Sequence, residues 1–247
     1  MSDHASGAHW HSEPHPVLVG FGAGFFLPWA FMFQYVYHQG LFAIIALTLA
    51  VLMLLVGGIG WVNATIGVVK DEGWSPSAML MFIGTEALTV GGMLAAYWTM
   101  RASAPVWPPE GTPEVYAPIF ATLFVLLSSF TVAFARKKQQ QDDVSGFMMM
   151  TVATIVIWVG FGVLTMMSWG DLMAQGFNIN TNAYATAVYG MTGIHFAHLV
   201  FGLFIMLLAI PPALKGHLSD SYARAMSMYV HFVNVLSVWV LLLVFLW

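Results

Sequence analysis

No cysteine occurs in the chain. That removes thiolate ligands for copper, zinc or iron–sulfur clusters, and any disulfide framework. Charge is scarce as well. Asp, Glu, Lys and Arg together make up 7% of the 247 residues, whereas soluble domains run at about one quarter. With 60% hydrophobic residues and a mean hydropathy of +0.81, the composition is that of an integral membrane protein. The net charge of −4 is spread over loops, and no basic patch points to nucleic acid. Residues 1–15 contain no Lys or Arg and do not lead into a short apolar segment with a small-residue cleavage site. They read as a retained polar tail, and the histidines His4, His9, His11 and His15 as solvated.

Seven apolar stretches are each long enough to span a bilayer, which takes about 20 helical residues. They are 16–37, 41–69, 75–100, 116–134, 146–172, 185–210 and 225–246. Their length and uniform apolarity predict helices rather than barrel strands. The expected fold class is therefore all-α: a polytopic membrane protein of seven transmembrane helices. The domain division is a tail (1–15), the first two helices (16–69) and the remaining five (75–247). His38-Gln39-Gly40 makes the first pair a tight hairpin. Lys70, Arg136, Lys137, Lys138, Lys215 and Arg224 fall on the side that holds the N-terminus, and only Arg101 on the other. The positive-inside rule then places the N-terminus in the cytoplasm and the C-terminus outside.

Polar residues inside the spans carry whatever chemistry there is. Glu86 is the sole acid deep in a span, so it should be protonated, paired, or both. In a purely structural role it is a neutral helix linker; in a functional one it is a proton-linked, carbodiimide-reactive carboxyl. His195 and His198 share a face of the sixth span, and His231 and Asn234 share a face of the seventh. Counting at 1.5 Å per residue puts Glu86 level with His195, and His231 level with His198. Glu86, His195, His198, His231 and Asn234 are thus expected to form one buried polar seam across the third, sixth and seventh spans. Two sharper chemistries compete with hydrogen-bonding glue. His198 and His231 satisfy the depth condition for a bis-histidine haem, but basic partners for the propionates are missing. A di-metal carboxylate site needs several Glu-x-x-His elements, and there is one intramembrane Glu. Glycines at 20, 22, 24, 57, 58, 60, 91 and 92 are expected to let helices approach closely. Pro28 is expected to kink the first span.

Several motifs, in order, resemble one family. Phe82-Ile83-Gly84-Thr85-Glu86 is similar to its Phe-Ile-x-Ser-Glu element. Trp107-Pro108-Pro109 is similar to its outer-loop Trp-Pro-Pro. Thr192-Gly193-x-His195-x-x-His198 matches its Thr-Gly-x-His-x-x-His. Val230-His231-Phe232-Val233-Asn234 falls where it has Trp-His-Phe-Val-Asp, with Val230 in place of the tryptophan and Asn234 in place of the aspartate. The family is subunit III of haem-copper cytochrome c oxidases. The resemblance implies an accessory, non-redox subunit of a proton-pumping oxidase that passes electrons from cytochrome c to oxygen. It implies a two-helix hairpin splayed from a five-helix bundle around a lipid-filled cleft that guides oxygen, with structural phospholipid. Trp61, Asn63 and Lys70 are the cleft candidates. No catalytic centre, metal or cofactor site is expected in this chain; the haems and copper lie in the partner subunits I and II, subunit I being the direct neighbour. The expected location is a bacterial-type plasma membrane, with a larger respiratory assembly possible. Alternatives are a subunit III-like component of a quinol oxidase or nitric-oxide reductase, and a haem-binding membrane cytochrome.

Overall fold

A computed structural model describes residues 14–65, 75–116 and 118–246; for 35 and 61–65 it describes the backbone alone. The tail up to residue 13, Lys70 and the side chains of Trp61 and Asn63 lie outside the described residues. Those that are described form helices and connecting turns, with no strand among them. Among the described residues seven helical segments are long and apolar enough to cross a membrane: His15–Gln34, Gly40–Gly60, Ser75–Ser103, Ile119–Gln139, Val144–Ala174, Ala183–Leu214 and Asp220–Leu246. The chain divides into two compact units, residues 1–70 and 71–247.

The first unit is the hairpin of the first two spans. The first span is α-helical over His15–Phe21 and Leu27–Tyr35, with a π-helical turn at Gly22–Phe26 between them. The cause is local. Pro28 has no N–H to give the Gly24 carbonyl, so the ladder reshapes one turn earlier, and the Leu27 N–H reaches back five residues to the Gly22 carbonyl. As Gly57 and Gly60 do on the second helix, Gly22 also lies where the two helices approach closely. A Cβ there would lie 3.0 Å from the Ala50 carbonyl oxygen and 3.1 Å from Met53 Cβ. By contrast Gly20, Gly24, Gly58, Gly91 and Gly92 face open space, so the expectation of close packing at every intrahelical glycine is corrected.

The second unit holds the other five spans. Three of its helices begin at side-chain caps that satisfy otherwise orphaned backbone donors. Asp143 accepts from Gly146 N at 2.8 Å, Asn182 from Ala185 N at 2.8 Å, and Ser219 from Tyr222 N at 3.1 Å. The core is built on Trp158, Phe147, Leu199, Met206 and Tyr229, all essentially without exposure. A second cluster, toward the opposite ends of the same helices, joins Leu172, Phe177, Tyr184, Val188 and Val244. Trp107, from the proline-rich loop, is tied into it. Its ring meets Tyr97 and Tyr184 edge-on, at centroid distances of 5.8 and 5.4 Å. The loop tryptophan is therefore packed between the third and sixth spans as well as lying at a helix end.

Candidate functional site: buried polar groups of the five-helix unit

The polar residues of the third to seventh spans fall into three hydrogen-bonded sets rather than one seam. The first joins the third and sixth spans. Glu86 Oε2 lies 3.0 Å from His198 Nε2, and His198 Nδ1 lies 2.7 Å from the Ile194 carbonyl oxygen. That carbonyl can only accept, so Nδ1 carries a hydrogen, and Nε2 and Oε2 are left to share one proton between them. His198 is nearly inaccessible while Glu86 keeps a quarter of its side-chain surface, so the pair opens to one side. Tyr229 donates to the His198 carbonyl oxygen at 3.3 Å, and Phe232 stands edge-on to the imidazole.

The second set joins the sixth and seventh spans. His195 Nε2 is 2.7 Å from Ser237 Oγ, and Ser237 also donates to the Val233 carbonyl at 3.1 Å. A donating Ser237 hydroxyl is thus divided between two acceptors, or its proton goes to the carbonyl and Nε2–H donates to it. His195 is buried and edge-on to Phe161. A small cavity of about 60 Å³ opens beside it, among Thr122, Ser168, Trp169 and Val240. Trp169 Nε1 donates to Thr192 Oγ1 at 3.0 Å and Thr192 to the Val188 carbonyl at 2.6 Å, which extends this polar region to the fifth span.

The third set brings in the fourth span. Asn234 Nδ2 donates to Ser128 Oγ at 2.8 Å and to Ser129 Oγ at 2.7 Å. Trp158 Nε1 donates to the same Ser128 oxygen at 2.9 Å. Ser128 and Asn234 are buried, and Asn234 Oδ1 has no partner among the described residues. Nearby, the Thr131 and Thr154 hydroxyls are 2.7 Å apart.

The expected five-residue seam is therefore corrected in two respects. Asn234 turns to the fourth span. His231 joins no set: its side chain is exposed, on the outward stripe of the seventh span that also carries Arg224, Val235 and Trp239. The residues at 227, 230, 234 and 237 take the buried face instead, and an offset of 100° per residue leaves 231 beyond its edge. The depth arithmetic is also off by a turn, since Glu86 meets His198 rather than His195. Side chains lean toward the N-terminus of their own helix, and the third span begins at the end where the sixth finishes, which carries the carboxyl toward His198. Ser128, Ser129, Trp158 and Ser237 are the partners that sequence reasoning missed. Hydroxyls and indoles inside apolar runs give no signal of their own; only a search for residues able to satisfy Asn234 and His195 would have found them.

His198 and His231 do not face each other as axial ligands would, and both ring nitrogens of His198 are engaged by protein atoms. Among the described residues no group of three or more His, Asp or Glu side chains is placed to hold a metal ion.

Comparison with known proteins bears on what this arrangement belongs to. Residues 30–247 match the family described as cytochrome c oxidase subunit III. Cytochrome c oxidase subunit 3 of Thermostichus vulcanus is 31% identical over 177 residues, covering 68% of this chain and 84% of that protein. The probable cytochrome c oxidase subunit 3 of Mycobacterium leprae is 28% identical over 167 residues, covering 66% and 82%. Cytochrome c oxidase subunit 3 of Bacillus sp. strain PS3 is 26% identical over 171 residues, covering 67% and 82%. Seven membrane-length helices among the described residues and a match that runs from residue 30 to the end of the chain lead to one assignment: this chain belongs to the cytochrome c oxidase subunit III family of the haem-copper oxidases.

Proposed function

We propose that the chain is an accessory, non-redox subunit of a proton-pumping terminal oxidase, which sustains the catalytic subunits without carrying electrons itself. The observation that carries this reading is how the buried polar groups are used. The imidazoles of His195 and His198 are bonded to Ser237, Glu86 and a backbone carbonyl, and the amide of Asn234 to two serines. Such bonds join helices to one another, which is what a scaffold in lipid requires, because burial of apolar surface offers little drive for association there.

The finer parts of the proposal extend the family resemblance to this chain. Haems and copper reside in partner subunits, cytochrome c is the donor to the whole complex, and the Glu86–His198 pair supports proton uptake. The N-terminus is cytoplasmic, supported by the six-to-one distribution of basic residues. Phospholipid chains and oxygen use apolar surface of the subunit. An open groove of the first unit, lined by Phe25, Phe26, Trp29, Phe33 and Ile45, has the purely apolar lining an acyl chain takes.

Depletion of the subunit from the purified oxidase tests the reading. Initial oxygen consumption is expected to persist and then to decay over successive turnovers faster than in the intact complex. Immediate loss of all oxygen reduction, or activity that is unchanged over prolonged turnover, would overturn it. A visible spectrum of the separated chain is expected to show no haem absorbance.

A further inference from the structure

Two buried polar groups without a partner among the described residues border one cavity. It is the space of about 60 Å³ beside His195, where the fourth span begins and the fifth finishes. Hydroxyls on its wall are of two kinds. Thr165 donates to the Phe161 carbonyl at 3.0 Å and Thr192 to the Val188 carbonyl at 2.6 Å, so their own helices satisfy them. Thr122 is only 2% exposed, yet no hydrogen bond of its hydroxyl is found among the described residues. His195, 3% exposed, lies about 18 Å along the sixth helix from Ala183 at 1.5 Å per residue. Its Nε2 meets Ser237, and Nδ1 has no hydrogen bond among the described residues. Its neighbour His198 returns Nδ1 to a carbonyl of its own helix; His195 does not. Thr151 Oγ1 and Asn234 Oδ1 also lack a partner, but protein seals them in. Thr122 and His195 differ in having space beside them.

The chemistry of the two groups selects the occupant. If Nε2–H donates to Ser237, Nδ1 is an acceptor that needs a donor; if Nε2 accepts, Nδ1–H needs an acceptor. An acyl chain or dioxygen supplies neither with useful strength. An ion is disfavoured too, because no Asp, Glu, Lys or Arg lines the wall to balance it. A small neutral molecule that both donates and accepts remains. The volume suits about two waters, at about 30 Å³ each in the liquid.

We propose that this cavity is a hydration site, in which ordered water binds Nδ1 of His195 and the Thr122 hydroxyl. The water then forms the polar joint between the fourth and sixth spans that no direct side-chain bond of these two residues makes. The joint is independent of the oxidase reading, since it concerns how this unit holds together.

The test uses the purified complex. Pulsed X-ray irradiation in heavy-oxygen water generates hydroxyl radicals, which label rings that lie against bound water. Phe161, buried and on the cavity wall, is expected to take up the heavy isotope; Phe147, buried and not on that wall, is not. Thr122→Val, which keeps the shape and removes the hydroxyl, is expected to lower Phe161 labelling about two- to twelve-fold, the range of one hydrogen bond. Phe161 that stays unlabelled, or that is labelled equally in wild type and Thr122→Val, would overturn the proposal. Should Thr122→Val fail to assemble, an electron cryo-microscopy map of the wild-type complex that resolves ordered waters elsewhere in the unit decides. Separate water-sized peaks within hydrogen-bond distance of His195 Nδ1 and Thr122 Oγ1 are expected. Continuous chain-like density there, or none, would overturn the site.

Discussion

Glu86 Oε2 and His198 Nε2 are 3.0 Å apart, so the acid of the third span is held by the imidazole of the sixth. Since Nδ1 of the same ring is committed to the Ile194 carbonyl, Nε2 is left to the carboxyl, and the pair forms a single polar unit that links the two spans.

That arrangement predicts a graded response at Glu86. Glu86→Gln keeps a group that donates to Nε2, so the fold and oxygen reduction are expected to survive, with a modest change in proton-linked behaviour. Glu86→Leu strands a largely buried ring nitrogen, at a cost of about 1–3 kcal/mol. Thermal denaturation and oxygen-electrode rates of the two purified variants check this. Complete loss of oxygen reduction in Glu86→Gln would argue against an accessory role.

Ser128 is the junction at which Asn234 and Trp158 meet. Ser128→Ala leaves the Trp158 N–H and one Asn234 donor without that partner in a fully buried site. Destabilisation of about 1–3 kcal/mol for each stranded donor is expected. Ser129→Ala should cost less, because only one bond is lost and its site is less enclosed. A comparison of denaturation midpoints decides the order; equal midpoints would remove Ser128 from its place as the junction.

Gly202 lies where the fifth, sixth and seventh spans come together. A Cβ there would be 3.2 Å from Tyr229 Cε1 and would overlap the Trp158 ring. Because Trp158 is itself packed on every side, it cannot move away cheaply. Gly202→Ala is expected to destabilise by about 1–3 kcal/mol, and Gly202→Val by more. Gly92→Ala, in open space, serves as the control and should be near neutral.

At the membrane surface, Asp143 caps the fifth span. The Gly146 N–H, and then the Lys138 ammonium 3.0 Å away, hold its carboxyl below the usual carboxylate range. A depressed folded-state value means that the cap contributes above the ordinary value and is lost as the pH falls through the folded one. Asp143→Asn should abolish the part of the acid sensitivity that lies below about pH 4 while leaving neutral-pH behaviour almost intact. Acid titrations of helix content in the two proteins check this, and identical titrations would refute the assignment.

Much of the molecule is legible in the sequence. Seven spans follow from hydropathy because hydrocarbon tolerates little else. The apolar runs begin two to five residues after the starts of the fifth, sixth and seventh helices, because the caps Asp143, Asn182 and Ser219 are polar and lie outside those runs. The partnership of the third and sixth spans could be reasoned from the depth of Glu86, although not which histidine it chose, since one turn lies within the reach of a glutamate side chain. His231 was harder. Residues 231 and 234 are neighbours on the helix surface, and nothing in the local sequence states that the burial boundary runs between them.

The π-helical turn at Gly22–Phe26 carries a consequence for the aromatic rungs that follow it. One additional residue in a turn advances everything downstream by about 100° relative to an unbroken helix. Trp29 and Phe33, whose rings lie 5.5 Å apart, both follow that phase shift, and Phe33 meets Phe42 of the second span at 5.6 Å. Deleting Ala23, which does not line the groove, would remove one step of about 100° and turn Trp29 and Phe33 relative to the helix that precedes them.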